Sequence, residues 1–178
     1  SFVNADIFIG EKELMSSAYY SDKIPKYWED IKNGLRVLTS WYNIRKTFLN
    51  DLEEFGISEV YAHNAYFDYT TLQQTQRWET KSKYRNFFPR NVTVCDTLKM
   101  ARSVIAKMPT YIAFCEENNF LTKNGNPQLK AETLYRYITN NPNFVESHTA
   151  LEDVLIEKEI LAYCYRQHKA MKKELWKK

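Results

Sequence analysis

The chain has 178 residues, of which 44% are hydrophobic, a net charge of +3 at pH 7 and three cysteines. This length and apolar content suffice for one hydrophobic core, and no apolar run approaches a membrane span. The N-terminus lacks the charged start and apolar core of a signal peptide, so we expect a cytoplasmic protein. Cys95, Cys115 and Cys164 are odd in number and widely spaced, which favours buried thiols over a disulfide framework or a zinc site.

Strand and helix patterns alternate along the chain. Residues 1–9 alternate between apolar and polar side chains and predict a strand that Gly10 ends. Residues 11–33 predict two short helices, and Ser40 is the expected N-cap of a longer helix that Gly56 stops. The remaining predicted elements are strands at 59–62 and 92–95 and helices at 97–106, 110–118, 131–138 and from Ala150 past Tyr165. This order indicates an α/β protein.

The last predicted helix carries apolar residues at a spacing of three to four. They are Leu151, Val154, Leu155, Leu161 and Ala162. A stripe of this kind predicts the face that packs against the core.

Cations interleave with aromatic residues between Thr75 and Pro89, where we expect a loop. This mixture suits a flexible polyanion whose bases stack on the rings. A solvated loop whose apolar Phe87 and Phe88 pack into the core explains the composition equally well. Positive charge gathers again in residues 169–178, which we predict to be a basic C-terminal extension.

Two short motifs place a histidine and an aspartate near a helix start. His63-Asn64-Ala65-Tyr66-Phe67-Asp68 follows the strand at 59–62, and His148-Thr149-Ala150-Leu151-Glu152-Asp153 opens the last helix. Each motif also has an ordinary structural explanation. Asp68 is a good N-cap for a helix over 69–75, and Thr149 with Glu152 matches a capping box.

Together with Asp96-Thr97-Leu98, these motifs resemble signature segments of the DnaQ-like 3′–5′ exonucleases of the DEDDh type, in the same order along the chain. The resemblance implies a ribonuclease H-like mixed sheet flanked by helices. It also implies a site for two Mg²⁺ or Mn²⁺ ions that hydrolyses phosphodiester bonds of single-stranded DNA or RNA from the 3′ end, releasing nucleoside monophosphates. In that scheme Asp68 and Asp153 are metal ligands and His148 is the general base.

Substrate contacts are expected from the second motif and from the basic aromatic segment. The predicted residues are His63, Asn64, Phe67, Arg77, Lys81, Lys83 and Arg85. His63 and Asn64 have an alternative role in fixing the turn that aims Asp68, and Phe67 an alternative place in the core. Asp96 either approaches the site or caps the helix at 97–106.

The chain departs from the family at the first motif, an Asp-x-Glu on the first strand whose leading carboxylate bridges the two metals. In the first predicted strand here, Asp6 is followed by Phe8, and Glu11 and Glu13 come after the strand. That strand resembles the third strand of the family, so we expect an exonuclease domain over residues 1–168 that lacks its first two strands. A second chain or a swapped copy would complete the sheet. The alternative is a catalytically inactive exonuclease-like module that binds nucleic acid or a protein partner.

Overall fold

Helices make up most of the chain, and two pairs of short parallel strands lie among them. The computed structural model describes residues 1–146 and 150–176. The strands are β1 (Phe2–Asn4), β2 (Val37–Thr39), β3 (Glu59–Ala62) and β4 (Thr93–Asp96). The helices are α1 (Ala5–Gly10), α2 (Lys12–Met15), α3 (Ala18–Ser21), α4 (Ile24–Lys32), α5 (Trp41–Glu54), α6 (Ala65–Glu79), α7 (Thr97–Val104), α8 (Pro109–Glu117), α9 (Ala131–Ile138) and α10 (Ala150–Arg166). The structure is mixed α/β, which is compatible with the predicted α/β class, and the ribonuclease H-like sheet stays a prediction.

The chain divides into two compact units. Residues Ser1–Ile57 and Gln74–Phe87 form the first, and Ser58–Gln73 and Phe88–Lys178 form the second. The prediction of one domain over residues 1–168 stays a prediction. Among residues 1–146 and 150–176, no helix is both long enough and apolar enough to cross a bilayer.

In the first unit, β1 and β2 pair in parallel, with Phe2 opposite Val37. The strand predicted over residues 1–9 ends at Asn4, so the prediction is wrong from Ala5 onward. The Asn4 side chain accepts a hydrogen bond of 3.1 Å from the Asp6 backbone N–H and caps α1. This local cap favours a helix where the alternation of side chains favoured a strand.

Helix α5 begins and ends at the residues that the sequence predicts. Ser40 Oγ accepts a hydrogen bond of 3.4 Å from the Asn43 backbone N–H, which is the expected N-cap contact. Gly56 follows the helix with a φ of 60°, the left-handed conformation expected of a helix stop. The ring of Trp41, at the start of α5, lies 5.4 Å from that of Phe87, which is buried as its apolar character suggested.

In the second unit, β3 and β4 pair in parallel, and both strands end at the same edge, with Ala62 opposite Asp96. The C-terminal segment covers the other side of β4. The Asp96 N–H donates to the Lys173 carbonyl at 2.7 Å, and the Leu175 N–H donates to the Val94 carbonyl at 2.9 Å. The residues predicted as a basic extension therefore add an antiparallel edge to this sheet.

The core of the second unit lies between α7, α8, α9 and α10. Its buried residues are Met100, Ala101, Val104, Ile105, Tyr111, Cys115, Leu134, Ile156, Ile160 and Cys164. All three cysteines are free and buried, as predicted.

The apolar stripe predicted to face the core on α10 is wrong for three of its residues. Leu151, Val154 and Leu155 are 64%, 59% and 53% exposed, respectively. The buried stripe runs instead through Ile156, Ile160 and Cys164, at i, i+4 and i+8. Because this helix carries apolar residues around much of its circumference, periodicity alone does not choose the buried face.

Candidate active site

The turn between β3 and α6 is held at the carboxyl ends of the two paired strands. Asn64 has a φ of 65°, a left-handed conformation that asparagine tolerates better than most residues. Its backbone N–H donates a hydrogen bond of 3.1 Å to Asp96 Oδ1, at the end of the neighbouring strand. The first turn of α6 is thereby fixed against β4.

The side chain of His63 connects three segments of the second unit. Its Nδ1 lies 3.0 Å from Thr97 Oγ1, and its Nε2 lies 2.7 Å from the carbonyl oxygen of Leu129. Because a carbonyl only accepts, Nε2 carries the proton and Nδ1 accepts from the Thr97 hydroxyl. Burial lowers the pKa of His63, which favours this neutral ring. The geometry fits the structural role considered for His63, and its contact with substrate stays a prediction.

Asp96 caps α7 and ties the turn to it. Its Oδ1 accepts hydrogen bonds from the Leu98 N–H at 2.9 Å and from the Asn64 N–H at 3.1 Å, and the residue is only 5% exposed. The predicted cap is confirmed. The negative charge of Asp96 also raises the pKa of Asp68, so this structural carboxylate influences the candidate site.

Asp68 lies in the first turn of α6. Its interpretation as the N-cap of a helix over 69–75 is wrong, because the helix begins at Ala65. Burial is the main cause that raises the pKa of the Asp68 carboxyl, and the charge of Asp96 adds to it, while a backbone hydrogen bond opposes both. The surroundings of Asp68 therefore disfavour an uncompensated negative charge.

Asp153 and Glu157 lie four residues apart on α10, so they share one face of the helix. The pKa of Glu157 is raised to about 7, mainly by burial and also by the negative charges of Asp68, Asp153 and Glu146. A hydrogen bond from the backbone amide of His63 opposes these effects. The charges of both predicted metal ligands, Asp68 and Asp153, therefore act on the Glu157 carboxyl.

One carboxylate oxygen in this group has no hydrogen-bond partner among the described residues. This atom is the buried Oδ1 of Asp153. A buried carboxylate oxygen without a donor is costly, so it calls for a compensating positive charge or donor. The sequence gives no direct signal for Glu157, although its position one helical turn after Asp153 would have suggested it.

The donors of this group are oxygen atoms, which suit a hard divalent cation such as Mg²⁺ or Mn²⁺. The fit is partial. Within residues 1–146 and 150–176, no three His, Cys, Asp or Glu side chains are arranged to hold a metal ion. Asp68 and Asp153 are the two ligands that the sequence predicts. A cation would compensate the buried Oδ1 of Asp153, which has no hydrogen-bond partner among the described residues.

Two predictions for the motif residues have separate outcomes. The alternative that Phe67 lies in the core is wrong, because Phe67 is 66% exposed. Its large exposed ring leaves the predicted substrate contact open. The predicted general base His148 and the predicted cap Thr149 lie outside the described residues.

The basic aromatic segment belongs mainly to the first unit. Helix α6 continues to Glu79, so the predicted loop is wrong for residues 75–79, and Arg77 lies in the last helical turn. Beyond the helix, Lys81 Nζ lies 4.6 Å from the ring centre of Trp78, and Lys83 Nζ lies 5.1 Å from that of Tyr84. Both are cation–π contacts.

Arg85 lines a cavity of about 380 Å³ within the first unit. Arg45 and Lys46 of α5 also line it, together with the carboxylates Asp6 and Glu79. The charges of this cavity are therefore mixed, with a small excess of cations. Binding of substrate by Arg77, Lys81, Lys83 and Arg85 stays a prediction.

No protein-family model, curated protein or solved structure matches this chain significantly.

Proposed function

We propose that this chain is a metal-dependent 3′–5′ exonuclease with a DnaQ-like, ribonuclease H-like fold, acting on single-stranded nucleic acid. The supporting observation is that the charges of Asp68 and Asp153 both act on the Glu157 carboxyl, while Asp153 Oδ1 lies buried without a donor among residues 1–146 and 150–176. Two carboxylates from different helices, one with a raised pKa and the other with a buried oxygen, are the kind of arrangement that a divalent cation stabilises.

In this proposal Asp68 and Asp153 hold the Mg²⁺ or Mn²⁺ ions. The bound ions would stabilise charge on the phosphate and lower the pKa of the attacking water. His148, five residues before Asp153 in the sequence, would accept the proton of that water, because an unperturbed imidazole has a pKa of about 6.5.

The residues around the turn would position this chemistry. The neutral ring of His63 binds Thr97 and Leu129, and Asn64 is tied to Asp96, so the first turn of α6 and therefore Asp68 have little freedom to move. Metal ligands that the protein holds in position before the reaction reduce the reorganisation that catalysis requires.

Metal binding tests the first part of the proposal without measuring activity. Mn²⁺ titrated into the protein should raise the unfolding temperature, because a ligand that binds only the folded state stabilises it. Asp153→Asn should abolish the rise. Glu117→Gln, which removes an exposed carboxylate at the end of α8, is the matched control and should leave the rise intact.

Cleavage tests the second part. A 5′-labelled single strand incubated in Mg²⁺ or Mn²⁺ should shorten stepwise from its 3′ end, and the same strand with a blocked 3′ end should persist. Asp68→Asn, Asp153→Asn and His148→Ala should each slow cleavage by orders of magnitude. Running DNA and RNA strands in parallel identifies the preferred sugar.

A non-catalytic binding module is the second candidate. None of the strands β1 to β4 carries an Asp-x-Glu, and no group of three ligands forms among the described residues. A bridging carboxylate is therefore missing from the described strands, and this observation favours binding without cleavage. Strand binding by an inactive chain, unchanged in Asp153→Asn, would support the module and contradict the exonuclease.

A further inference from the structure

Four aromatic rings form a continuous row within the second unit. The rings of Phe88 and Tyr69 stack with centres 5.5 Å apart and planes only 6° from parallel. Trp176 packs edge-on against Tyr69 at 5.2 Å and against Tyr66 at 6.1 Å. The row therefore joins the first turns of α6 to the C-terminal segment.

The row is held by the protein on both sides. Tyr66 and Tyr69 lie three residues apart on α6, so they share one face of that helix. On the other side, Leu175 is buried, and Lys99 Nζ donates to the backbone carbonyls of Glu174 at 3.2 Å and Leu175 at 2.6 Å. Trp176 follows directly after this anchored backbone, so its ring is presented in a defined position.

Packing does not account for the exposed part of the row. Trp176 is 62% exposed and Tyr66 is 57% exposed, and the neighbouring Phe67 is 66% exposed. Tyr111, in the core of the same unit, is fully buried. Large rings that are fixed in place yet left open to solvent are typical of binding surfaces.

The exposed charges closest in sequence to Phe88 and Trp176 favour an anionic ligand. Arg90 follows Phe88 by two residues, Lys172 precedes Trp176 by four, and both are exposed. Lys173 does not add to this positive charge, because its Nζ forms an ion pair with Glu59 at 2.6 Å. Glu174 is the one carboxylate between Lys173 and Trp176. Exposed rings that share short segments of the chain with exposed cations suit a ligand that carries both flat bases and phosphates, namely a single-stranded nucleic acid.

We propose that Trp176 and Tyr66 form a stacking platform for the bases of a bound single strand. The platform deepens the proposed function. One part of it rests on that function, namely that the stacked nucleotides precede the nucleotide that is removed at the 3′ end. Base stacking does not depend on a metal ion, so the platform binds a strand whether or not the carboxylates are loaded.

Binding in EDTA tests the platform separately from catalysis. The probe is a fluorescein-labelled 12-nucleotide oligo(dT), followed by anisotropy against protein concentration, with oligo(U) in parallel. Trp176→Ala and Tyr66→Ala should each weaken binding by roughly 10-fold or more, the size expected for one stacked base. Trp176→Phe retains a ring face and should bind close to wild type.

Two matched variants separate stacking from other effects. Trp176→Leu keeps apolar bulk without a ring face and should bind as weakly as Trp176→Ala. Phe55→Ala removes an equally exposed ring (69%) from the first unit and should bind like wild type. The salt dependence of binding should be nearly unchanged by Trp176→Leu and reduced by Arg90→Ser combined with Lys172→Ser, because only phosphate contacts release counterions.

Several results would overturn the platform. The first is no binding of the wild-type chain in EDTA. The second is wild-type affinity in both Trp176→Leu and Tyr66→Ala. The third is wild-type affinity in Trp176→Leu with weaker binding only in Trp176→Ala, a result that would indicate apolar docking in place of base stacking. If Trp176→Ala fails to fold, Tyr66→Ala decides the question. If these variants lose binding and the wild-type chain never cleaves a strand, the platform is supported and the proposed exonuclease activity is contradicted.

Discussion

Glu157→Gln removes a carboxyl whose pKa is raised from 4.5 to about 7, first by burial and then by the charges of Asp68, Asp153 and Glu146. Glutamine has nearly the same shape and retains an oxygen that accepts from the His63 backbone amide. The substitution therefore changes the charge that this position acquires at high pH and little else.

The sign of the effect follows from proton linkage. The folded protein binds the Glu157 proton more tightly than the unfolded chain does, so the resulting stabilisation is fully present below pH 4.5 and is lost as the pH rises through about 7. Each pKa unit corresponds to about 1.4 kcal/mol, so the whole shift corresponds to about 3 kcal/mol. Glu157 is partly exposed, and we halve this figure to about 1.5 kcal/mol for screening by solvent.

Urea unfolding at pH 4 and pH 8 in EDTA, followed by far-ultraviolet circular dichroism, measures the effect. We expect Glu157→Gln to match wild type closely at pH 4 and to exceed its free energy of unfolding by about 1.5 kcal/mol at pH 8. Glu117→Gln, at an exposed position, should follow the wild-type pH dependence. The same pH dependence in wild type and Glu157→Gln would refute the argument that Glu157 is buried among carboxylates.

Three further predictions test other parts of the structure. Ile160→Ala should lower the free energy of unfolding by about 2–5 kcal/mol, whereas Leu155→Ala on the exposed face should change it by less than about 0.5 kcal/mol; similar losses would contradict the assigned face of α10. Asp96→Ala should cost about 1–2 kcal/mol in the same urea assay, because α7 loses its cap and the Asn64 amide loses its acceptor; an unchanged midpoint would contradict both contacts. Serine at four cationic positions should weaken oligo(dT) binding and flatten its salt dependence, and an unchanged isotherm would assign the segment to packing. The four positions are Arg77, Lys81, Lys83 and Arg85.

Features set by neighbouring residues were predictable from the sequence. The strand at Glu59–Ala62 and the helix at Ala131–Ile138 have the predicted bounds, and Ser40, Gly56 and Asp96 act as the predicted helix caps and stop. Each of these depends on contacts or backbone conformations within a few residues, so the local sequence carries the information. The strand predicted over residues 1–9 was wrong after Asn4 because two local signals, alternation and a cap, competed there.

The candidate site was predictable only in part. Asp68 and Asp153 were identified from their motifs, but Glu157 was missed because its importance comes from burial beside carboxylates of other segments. The sequence left Phe67 either in contact with substrate or in the core, and only the structure showed that it is exposed.

The sequence by itself determined the alternation of helices and strands, the helix caps and the positions of the two histidine–aspartate motifs, because spacing and capping act over one or two helical turns. Only the tertiary structure decided that α10 buries Ile156, Ile160 and Cys164, that the charge of Asp68 acts on Glu157, and that the C-terminal segment pairs with β4 to bring Trp176 against Tyr66. These arrangements join residues far apart in the chain, and they depend on which of several apolar surfaces are buried together, a choice that no local pattern specifies.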